Sequence, residues 1–189
     1  MMKQEMHSKD LSPDKSWTLF LDRDGVINER LVGDYVKKPD EFRFIEGVPG
    51  AIAGLSNIFG RIVIVTNQQG IGKGLMRLSD LEIVHVKMLE GIHAAGGRID
   101  KIYYCPHLES DQCDCRKPNT GMAMQAQKDF PEIDFNKSIM VGDGLHDMKF
   151  GKALQMYTIF IGQNAINNPL IDLQFSSLIA FAEMLDARF

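Results

Sequence analysis

The sequence predicts an α/β fold: a single domain with a parallel sheet and helices on both of its faces. Short apolar runs alternate with segments of helical periodicity along the 189 residues. Such alternation indicates a parallel sheet covered by helices. Polar clusters directly follow three of the apolar runs. Ligands bind beyond the carboxyl ends of strands in these sheets, so we expect the three clusters to share one site.

We expect five strands, because five short apolar runs each end at a turn or loop signal. The run RIVIV at 61–65 is rich in β-branched residues, which suit a strand buried on both faces. The predicted strands are residues 17–21, 61–65, 101–104, 138–141 and 157–161.

Five helices are expected between and after these strands. Pro49 suits a first helical turn, and Gly60 follows the expected end of that helix. The sequence Ser79-Asp80-Leu81-Glu82 predicts a capping box, with Leu78 and Ile83 as its hydrophobic staple. The predicted helices are residues 48–59, 79–95, 120–130, 147–156 and 177–186, and residues 26–47 are expected to be irregular. No connection leaves room for a large cap domain.

Composition narrows the class of protein. The length suits one hydrophobic core, with a flexible leader at 1–15 followed by the domain at 16–189. A net charge of −4 argues against a general nucleic-acid binder or an anionic-membrane binder. No apolar run approaches the roughly 20 residues that span a bilayer. The polar N-terminus has no apolar core of a secretion signal, so we expect a cytoplasmic protein. Without a heptad pattern, a monomer is expected.

The first polar cluster, Asp22-Arg23-Asp24-Gly25, follows the first strand. Two carboxylates at this spacing can share a divalent cation such as Mg²⁺, or act as nucleophile and general acid/base. A solvated turn is the alternative, because Asp and Gly are common turn residues.

Three further polar positions are ambiguous when each is taken alone. Thr66 follows the second strand and suits either phosphate binding or a turn cap. Asp143 follows the fourth strand and suits either metal binding or an Asx turn or helix N-cap. Lys117 by itself suits a solvated surface charge.

All three cysteines fall within eleven residues, together with one histidine. Cys105, His107, Cys113 and Cys115 form the pattern C-x-H-x5-C-x-C in a predicted loop at 105–115. Three thiolates and one imidazole are the preferred set of a structural Zn²⁺ site, and four protein ligands leave no open position for catalysis. Buried thiols beside a solvent-facing histidine, or a zinc module that only binds a partner, are the alternatives.

Four motifs occur in one order across residues 17–163: DRDGV, VTNQ, RKP and VGDGLHD. The chain thereby resembles the haloacid dehalogenase superfamily, which implies a three-layer Rossmann-like fold and a phosphatase. The resemblance implies that Asp22 forms an aspartyl-phosphate and that Asp24 is the general acid/base. It also implies that the Asp22 carboxylate, the Asp24 backbone carbonyl and Asp143 bind Mg²⁺.

For phosphate binding, the same resemblance implies Thr66, the Asn67 backbone N–H and Lys117. Arg116 is available for a second anionic group, as in a sugar bisphosphate. The zinc loop is expected to stiffen the segment that carries Arg116 and Lys117.

Longer stretches narrow the resemblance further. FLDRDGVIN, EFRFIEGV, VTNQQGIGKG, IYYCPH and CDCRKP resemble D-glycero-D-manno-heptose 1,7-bisphosphate 7-phosphatases. The short segment between His107 and Cys113 is closer to histidinol-phosphate phosphatases, which share the nucleophile and the zinc loop. Gly144 stands where the family often has a basic residue. We expect a heptose bisphosphate as substrate, with histidinol phosphate or another small sugar phosphate as alternatives.

Overall fold

A six-stranded parallel sheet forms the centre of the protein. The computed structural model describes residues 11–164 and 166–186. The strand order is β3-β2-β1-β4-β5-β6, and every neighbouring pair is parallel. The strands are β1 Thr18–Leu21, β2 Arg61–Asn67, β3 Lys101–Cys105, β4 Ser138–Gly142, β5 Tyr157–Ile161 and β6 Leu173–Phe175.

Helices cover both faces of this sheet, which confirms the predicted three-layer α/β class. The helices are α1 Val48–Ile58, α2 Leu78–Ala94, α3 Gly121–Asp129, α4 Leu145–Ala153 and α5 Leu178–Asp186. Side chains alternate between the faces along each strand. In β1, Leu19 and Leu21 pack into the core formed with α1, α2 and α5, whereas Phe20 packs into the core formed with α3 and α4.

The five strands predicted from apolar runs are present, and β6 was missed. Its three residues, Leu173–Phe175, are only half-buried and lie at the edge of the sheet. A short strand with a polar residue at its centre lacks the continuous apolar run by which the buried strands were predicted.

All five predicted helices are present, and their ends differ from the predicted bounds by up to three residues. Helix α2 begins at Leu78, and the Arg77 N–H donates to Asp80 Oδ2 at 2.8 Å. The capping box predicted to begin at Ser79 was therefore wrong, and the expected staple residues Leu78 and Ile83 are exposed. Helix α4 runs from Leu145 to Ala153 rather than over 147–156.

The segment between β1 and α1 is irregular, as predicted, but backbone bridges hold it next to the end of β1. Isolated bridges join Asp24 to Asn28 and Asn28 to Phe44. Between β1 and β2, and between β2 and β3, the described chain holds one α-helix each and no further domain. Short connections therefore border the carboxyl edge of the sheet.

Residues 1–10 of the predicted leader lie outside the described residues. Leu11 is fully buried in the core, and Lys15 Nζ donates to the Ser56 carbonyl at 3.0 Å. Over the described ranges, no helix combines the length and apolar character that crossing a membrane requires.

Candidate active site

The predicted strand-end residues meet at one edge because β1 lies between β2 and β4. Leu21, the last residue of β1, is in register with Ile64 and with Val141. Asp22 continues this pairing, since its N–H donates to the Val141 carbonyl at 2.9 Å. Thr66 and Asn67 end β2 next to it. The polar clusters separated in sequence therefore surround the end of β1.

Lys117 joins two buried aspartates at the centre of this edge. Its Nζ lies 2.9 Å from Asp22 Oδ1 and 2.6 Å from Asp147 Oδ1, and it donates to the Val65 carbonyl at 2.6 Å. Burial alone would lower the pKa of Lys117, but the charges of Asp147 and Asp22 outweigh burial and raise it. The side chain is thus a buried ammonium rather than the solvated surface charge given as the alternative.

Asp22, the predicted nucleophile, is buried and paired with a cation. Burial raises its pKa, while Lys117 opposes that rise. The carboxylate is almost completely buried at the carboxyl end of β1. The ammonium lies on Oδ1, so attack by this carboxylate, as the sequence predicts, would use the other oxygen.

The Asp24 carboxylate is held by three side chains. Arg23 Nη2 donates to both of its oxygens at 2.8 Å. Asn28 Nδ2 donates to Oδ1 at 2.9 Å, and Gln68 Nε2 donates to Oδ2 at 2.8 Å. Burial alone would raise the pKa of Asp24, but the Arg23 charge and these hydrogen bonds together lower it. The resting side chain is therefore an anion in a fixed orientation.

Asp143 lies against the turn that follows β1. A Cβ added to Gly25, whose φ is +90°, would lie 2.1 Å from Asp143 Oδ2, so only glycine permits this approach. Arg30 Nη1 lies 3.1 Å from the same oxygen. Burial and the nearby Asp22 charge raise the pKa of Asp143 to about 7. Its other oxygen, Oδ1, is buried without a hydrogen-bond partner among the described residues.

Asn67 and Thr66 make different hydrogen bonds in the site. Asn67 Oδ1 accepts from the Lys117 backbone N–H at 3.0 Å, and Asn67 Nδ2 donates to the Lys117 carbonyl at 3.1 Å. Asn67 thus fixes the backbone of a residue fifty positions later. Thr66 is buried, and its Oγ1 accepts from Gln68 Nε2 at 2.9 Å.

A cavity of about 530 Å³ opens onto this edge of the sheet. Asp24, Asn67, Arg116 and Lys117 lie in its wall, and so does His146. The Nη1 atom of Arg116 is buried and has no hydrogen-bond partner in the described part of the chain. The cavity wall therefore contains Arg116 together with Asp24, the predicted acid/base residue.

The predicted zinc residues are also brought together. Cys105 Sγ lies 3.4 Å from Cys113 Sγ and 3.0 Å from Cys115 Sγ. His107 Nδ1 lies 3.2 Å from Cys115 Sγ, and all four ligand atoms fall within 4.8 Å of one another. Cys105 ends β3, while Cys115 directly precedes Arg116. The cluster thus links the sheet to the segment that enters the cavity.

Sequence reasoning missed several side chains of the site. Asp147 was not predicted as a site residue, although it is fully buried against Lys117. Asn28 and Gln68 lie within the stretches FLDRDGVIN and VTNQ, and Arg30 follows the first, but none of the three was assigned a role. In the VGDGLHD motif, the presence of a second carboxylate four residues after Asp143 was the one local indication available for Asp147.

The fold and this edge define the class of protein: a hydrolase with the haloacid dehalogenase fold. The family described as polynucleotide kinase 3 phosphatase matches residues 19–186. The D-glycero-alpha-D-manno-heptose-1,7-bisphosphate 7-phosphatase of Mycobacterium bovis is 38% identical over 171 residues, covering 88% of this chain and 90% of the relative. The beta-heptose enzyme of Pseudomonas aeruginosa is 36% identical, covering 88% and 96%.

A solved structure shows the same likeness. The D,D-heptose 1,7-bisphosphate phosphatase from B. bronchiseptica, complexed with magnesium and phosphate, superposes with a TM-score of 0.83 at 30% identity. The match covers 92% of this chain and 99% of that chain. The chain therefore belongs to the polynucleotide kinase 3 phosphatase family of haloacid dehalogenase-like phosphatases, and within it to the heptose bisphosphate phosphatases.

Proposed function

We propose that the protein is a Mg²⁺-dependent phosphatase that removes the 7-phosphate of D-glycero-D-manno-heptose 1,7-bisphosphate through an aspartyl-phosphate on Asp22. One observation carries the mechanism: Asp22 is buried at the end of the central strand, 2.9 Å from Lys117, with Asp24 two residues further on. The names of the relatives support the substrate.

In the first step, a carboxylate oxygen of Asp22 attacks phosphorus while the bond from phosphorus to the sugar oxygen breaks. Asp24 gives its proton to the departing alkoxide. In the second step, water attacks phosphorus, Asp24 takes the proton of the water, and the bond to Asp22 breaks. Atoms and charge balance when phosphate leaves.

Asp24 must change its protonation state during this sequence. Its resting anion is the base form that the second step uses. A phosphate group that enters the cavity beside Asp24 disfavours a second negative charge and raises its pKa. Proton uptake on substrate binding therefore supplies the acid form for the first step.

The oxygen atoms at this edge fit Mg²⁺. Asp143 Oδ1 is buried and lacks a partner among the described residues, and carboxylate and carbonyl oxygens are the ligands this hard cation prefers. Asp22, the Asp24 carbonyl and Asp143 would hold it. When bound, the cation reduces the repulsion between the phosphate and the Asp22 carboxylate.

The phosphoryl oxygens are assigned to Thr66, the Asn67 N–H and Lys117, whose hydrogen-bond donors would stabilise the negative charge that develops there. Arg116 is assigned to the second phosphate, because it lines the cavity and a guanidinium can donate two parallel hydrogen bonds to a phosphate. A bisphosphate would use both positions, whereas a monophosphate would leave Arg116 without a phosphate.

The Cys/His cluster is assigned to one structural Zn²⁺. Three sulfur atoms and one imidazole nitrogen within 4.8 Å of one another fit a closed tetrahedral site. Zinc there would stabilise the segment that leads from Cys115 into Arg116 and Lys117. We further propose a cytoplasmic monomer whose partner is a small phosphorylated metabolite rather than a nucleic acid or a membrane.

The test is a phosphate-release assay with Mg²⁺ on the alpha and beta anomers of heptose 1,7-bisphosphate and on histidinol phosphate. We expect one heptose anomer to give the highest kcat/KM. If histidinol phosphate exceeds both anomers by more than about tenfold, about 1.4 kcal/mol in transition-state binding, the substrate assignment is wrong.

Two variants test the nucleophile in the same assay. Asp22→Asn should lose turnover while keeping the fold, because the amide is nearly isosteric but cannot attack as a carboxylate. Asp40→Asn, a change at an exposed aspartate, is the control and should retain activity. Activity of Asp22→Asn within about tenfold of wild type would exclude the covalent mechanism. A folded, zinc-loaded protein that releases no phosphate from any substrate would instead indicate a binding module.

A further inference from the structure

A buried histidine lies behind the guanidinium that holds Asp24. Arg23 is fully buried, and its Nη1 lies 3.3 Å from His85 Nε2. His85 is on helix α2, sixty-two residues later in the chain. It is 7% exposed, and its ring faces Arg23.

The chemistry of the two groups fixes the direction of this hydrogen bond. An arginine guanidinium can donate but cannot accept, so His85 Nε2 must be the acceptor. The imidazole proton then resides on Nδ1. Burial, reinforced by the Arg23 charge, lowers the pKa of His85 to about 3, so the ring is neutral near pH 7.

The guanidinium is rigid and planar, so a contact at one of its nitrogens restricts the orientation of the other two. Nη2 and Nε face Asp24, at 2.8 Å and 3.3 Å, while Nη1 faces His85. Without an acceptor at His85, Nη1 becomes a buried unpaired donor. The guanidinium can then rotate toward other partners and turn the Asp24 carboxylate with it.

We propose that His85 is a positioning residue: by accepting the Arg23 hydrogen bond it holds the guanidinium, and through it the Asp24 carboxylate, in the orientation for proton transfer. The proposal rests on the acid/base function proposed for Asp24. Asn28 and Gln68 also hold that carboxylate, so loss of His85 should weaken proton transfer rather than abolish it.

Two substrates with different leaving groups distinguish a loss of Asp24 positioning from a general loss of activity. A sugar alkoxide needs a proton from Asp24 in order to depart, whereas 4-nitrophenolate is a good leaving group and needs little protonation. We expect His85→Phe to lower kcat on heptose 1,7-bisphosphate about tenfold, equal to about 1.4 kcal/mol. On 4-nitrophenyl phosphate the loss should stay below about threefold, with KM for both substrates within about twofold of wild type.

Two comparisons complete the kinetic test. His85→Gln supplies an amide oxygen as acceptor, and it should recover activity on the heptose substrate to within about threefold of wild type. His85→Phe placed in an Asp24→Asn protein should cause no further change in the ratio of the two substrates, because the group it positions is absent. Exposed His93 on the same helix serves as the control, and His93→Gln should leave both rates unchanged.

The outcomes separate the two proposals. If Asp24→Asn slows both substrates equally, the acid/base function fails. If Asp24→Asn discriminates between them but His85→Phe does not, the positioning proposal alone fails. Should His85→Phe not fold, nitrogen-15 NMR of the wild-type histidine decides: a proton on Nδ1 is expected, and a proton on Nε2 overturns the proposal.

Discussion

Replacing Lys117 by methionine should destabilise the protein strongly. The ammonium is fully buried between Asp22 and Asp147, at 2.9 Å and 2.6 Å, and methionine supplies similar volume without charge. Removing one partner of a buried ionic group costs about 3–5 kcal/mol, because uncompensated charge remains. For a chain of this length, about 2–4 °C of Tm accompanies each kcal/mol, so we expect a fall of about 6–20 °C.

Urea unfolding at pH 7 and thermal melting measure this loss. Burial raises the pKa of Asp22, and without Lys117 that rise is no longer opposed. The folded state then binds more protons than the unfolded state, so the deficit should grow as pH rises from 5 to 8. A second change, Asp147→Asn, removes one uncompensated charge and should recover part of the stability of Lys117→Met.

The matched control is Lys101→Met. Lys101 Nζ lies 2.8 Å from Asp129 Oδ2, but the lysine side chain is half-exposed. Exposed pairs contribute about 0.2–1 kcal/mol, so this variant should lose less than about 1 kcal/mol. If Lys117→Met loses no more than Lys101→Met, or if Asp147→Asn makes Lys117→Met less stable, the buried ionic arrangement described here is wrong.

Three further predictions address other parts of the site. Gly25→Ala should lose about 1–3 kcal/mol of stability and need more Mg²⁺ for activity, because its Cβ would collide with Asp143 and its φ is positive. Gly33→Ala is the control in urea and Mg²⁺ titrations, because its φ is +76° but its surroundings are open, so it measures the backbone cost alone. Protein purified without added metal should contain about one Zn²⁺ per chain by elemental analysis. Cys113→Ser should lose the zinc and show a higher KM and faster proteolysis near Arg116. Zinc loss with unchanged kinetics would contradict the link to substrate binding. Between pH 6.5 and pH 5 wild type should lose about 2 kcal/mol more stability than His85→Gln, since the unfolded state protonates His85 and the folded state, with its pKa near 3, does not; parallel pH profiles would contradict this.

The sequence predicted the elements whose signal is local. Strands buried on both faces, such as Arg61–Asn67, are continuous apolar runs, and parallel topology brings their carboxyl ends to one edge. That is why Asp22, Thr66 and Asp143 could be grouped before their contacts were known. Edge strand β6 and the start of α2 depend on half-buried or competing polar residues, so local patterns did not determine them.

The contacts within the site could not be predicted in the same way. Arg23 with His85, and Asn67 with Lys117, join residues at least fifty positions apart. Such pairs arise when helices and loops pack on the sheet, and their partners carry no sequence pattern that distinguishes them from surface residues. The motifs thus indicated the groups that we propose to react, while the groups that contact and orient them came from tertiary packing.

The anchoring of the cysteine loop has a consequence for how its length can vary. One end is Cys105 on β3, and the other continues through Cys115 to Lys117, whose backbone Asn67 holds on β2. Residues 108–112 lie between these two anchors and belong to neither of them. Doubling the length of a flexible loop costs only about 0.6 kcal/mol in closure entropy. Insertions at 108–112 should therefore be tolerated without moving Lys117, so the short span between His107 and Cys113 is a weak guide to which phosphate ester is cleaved.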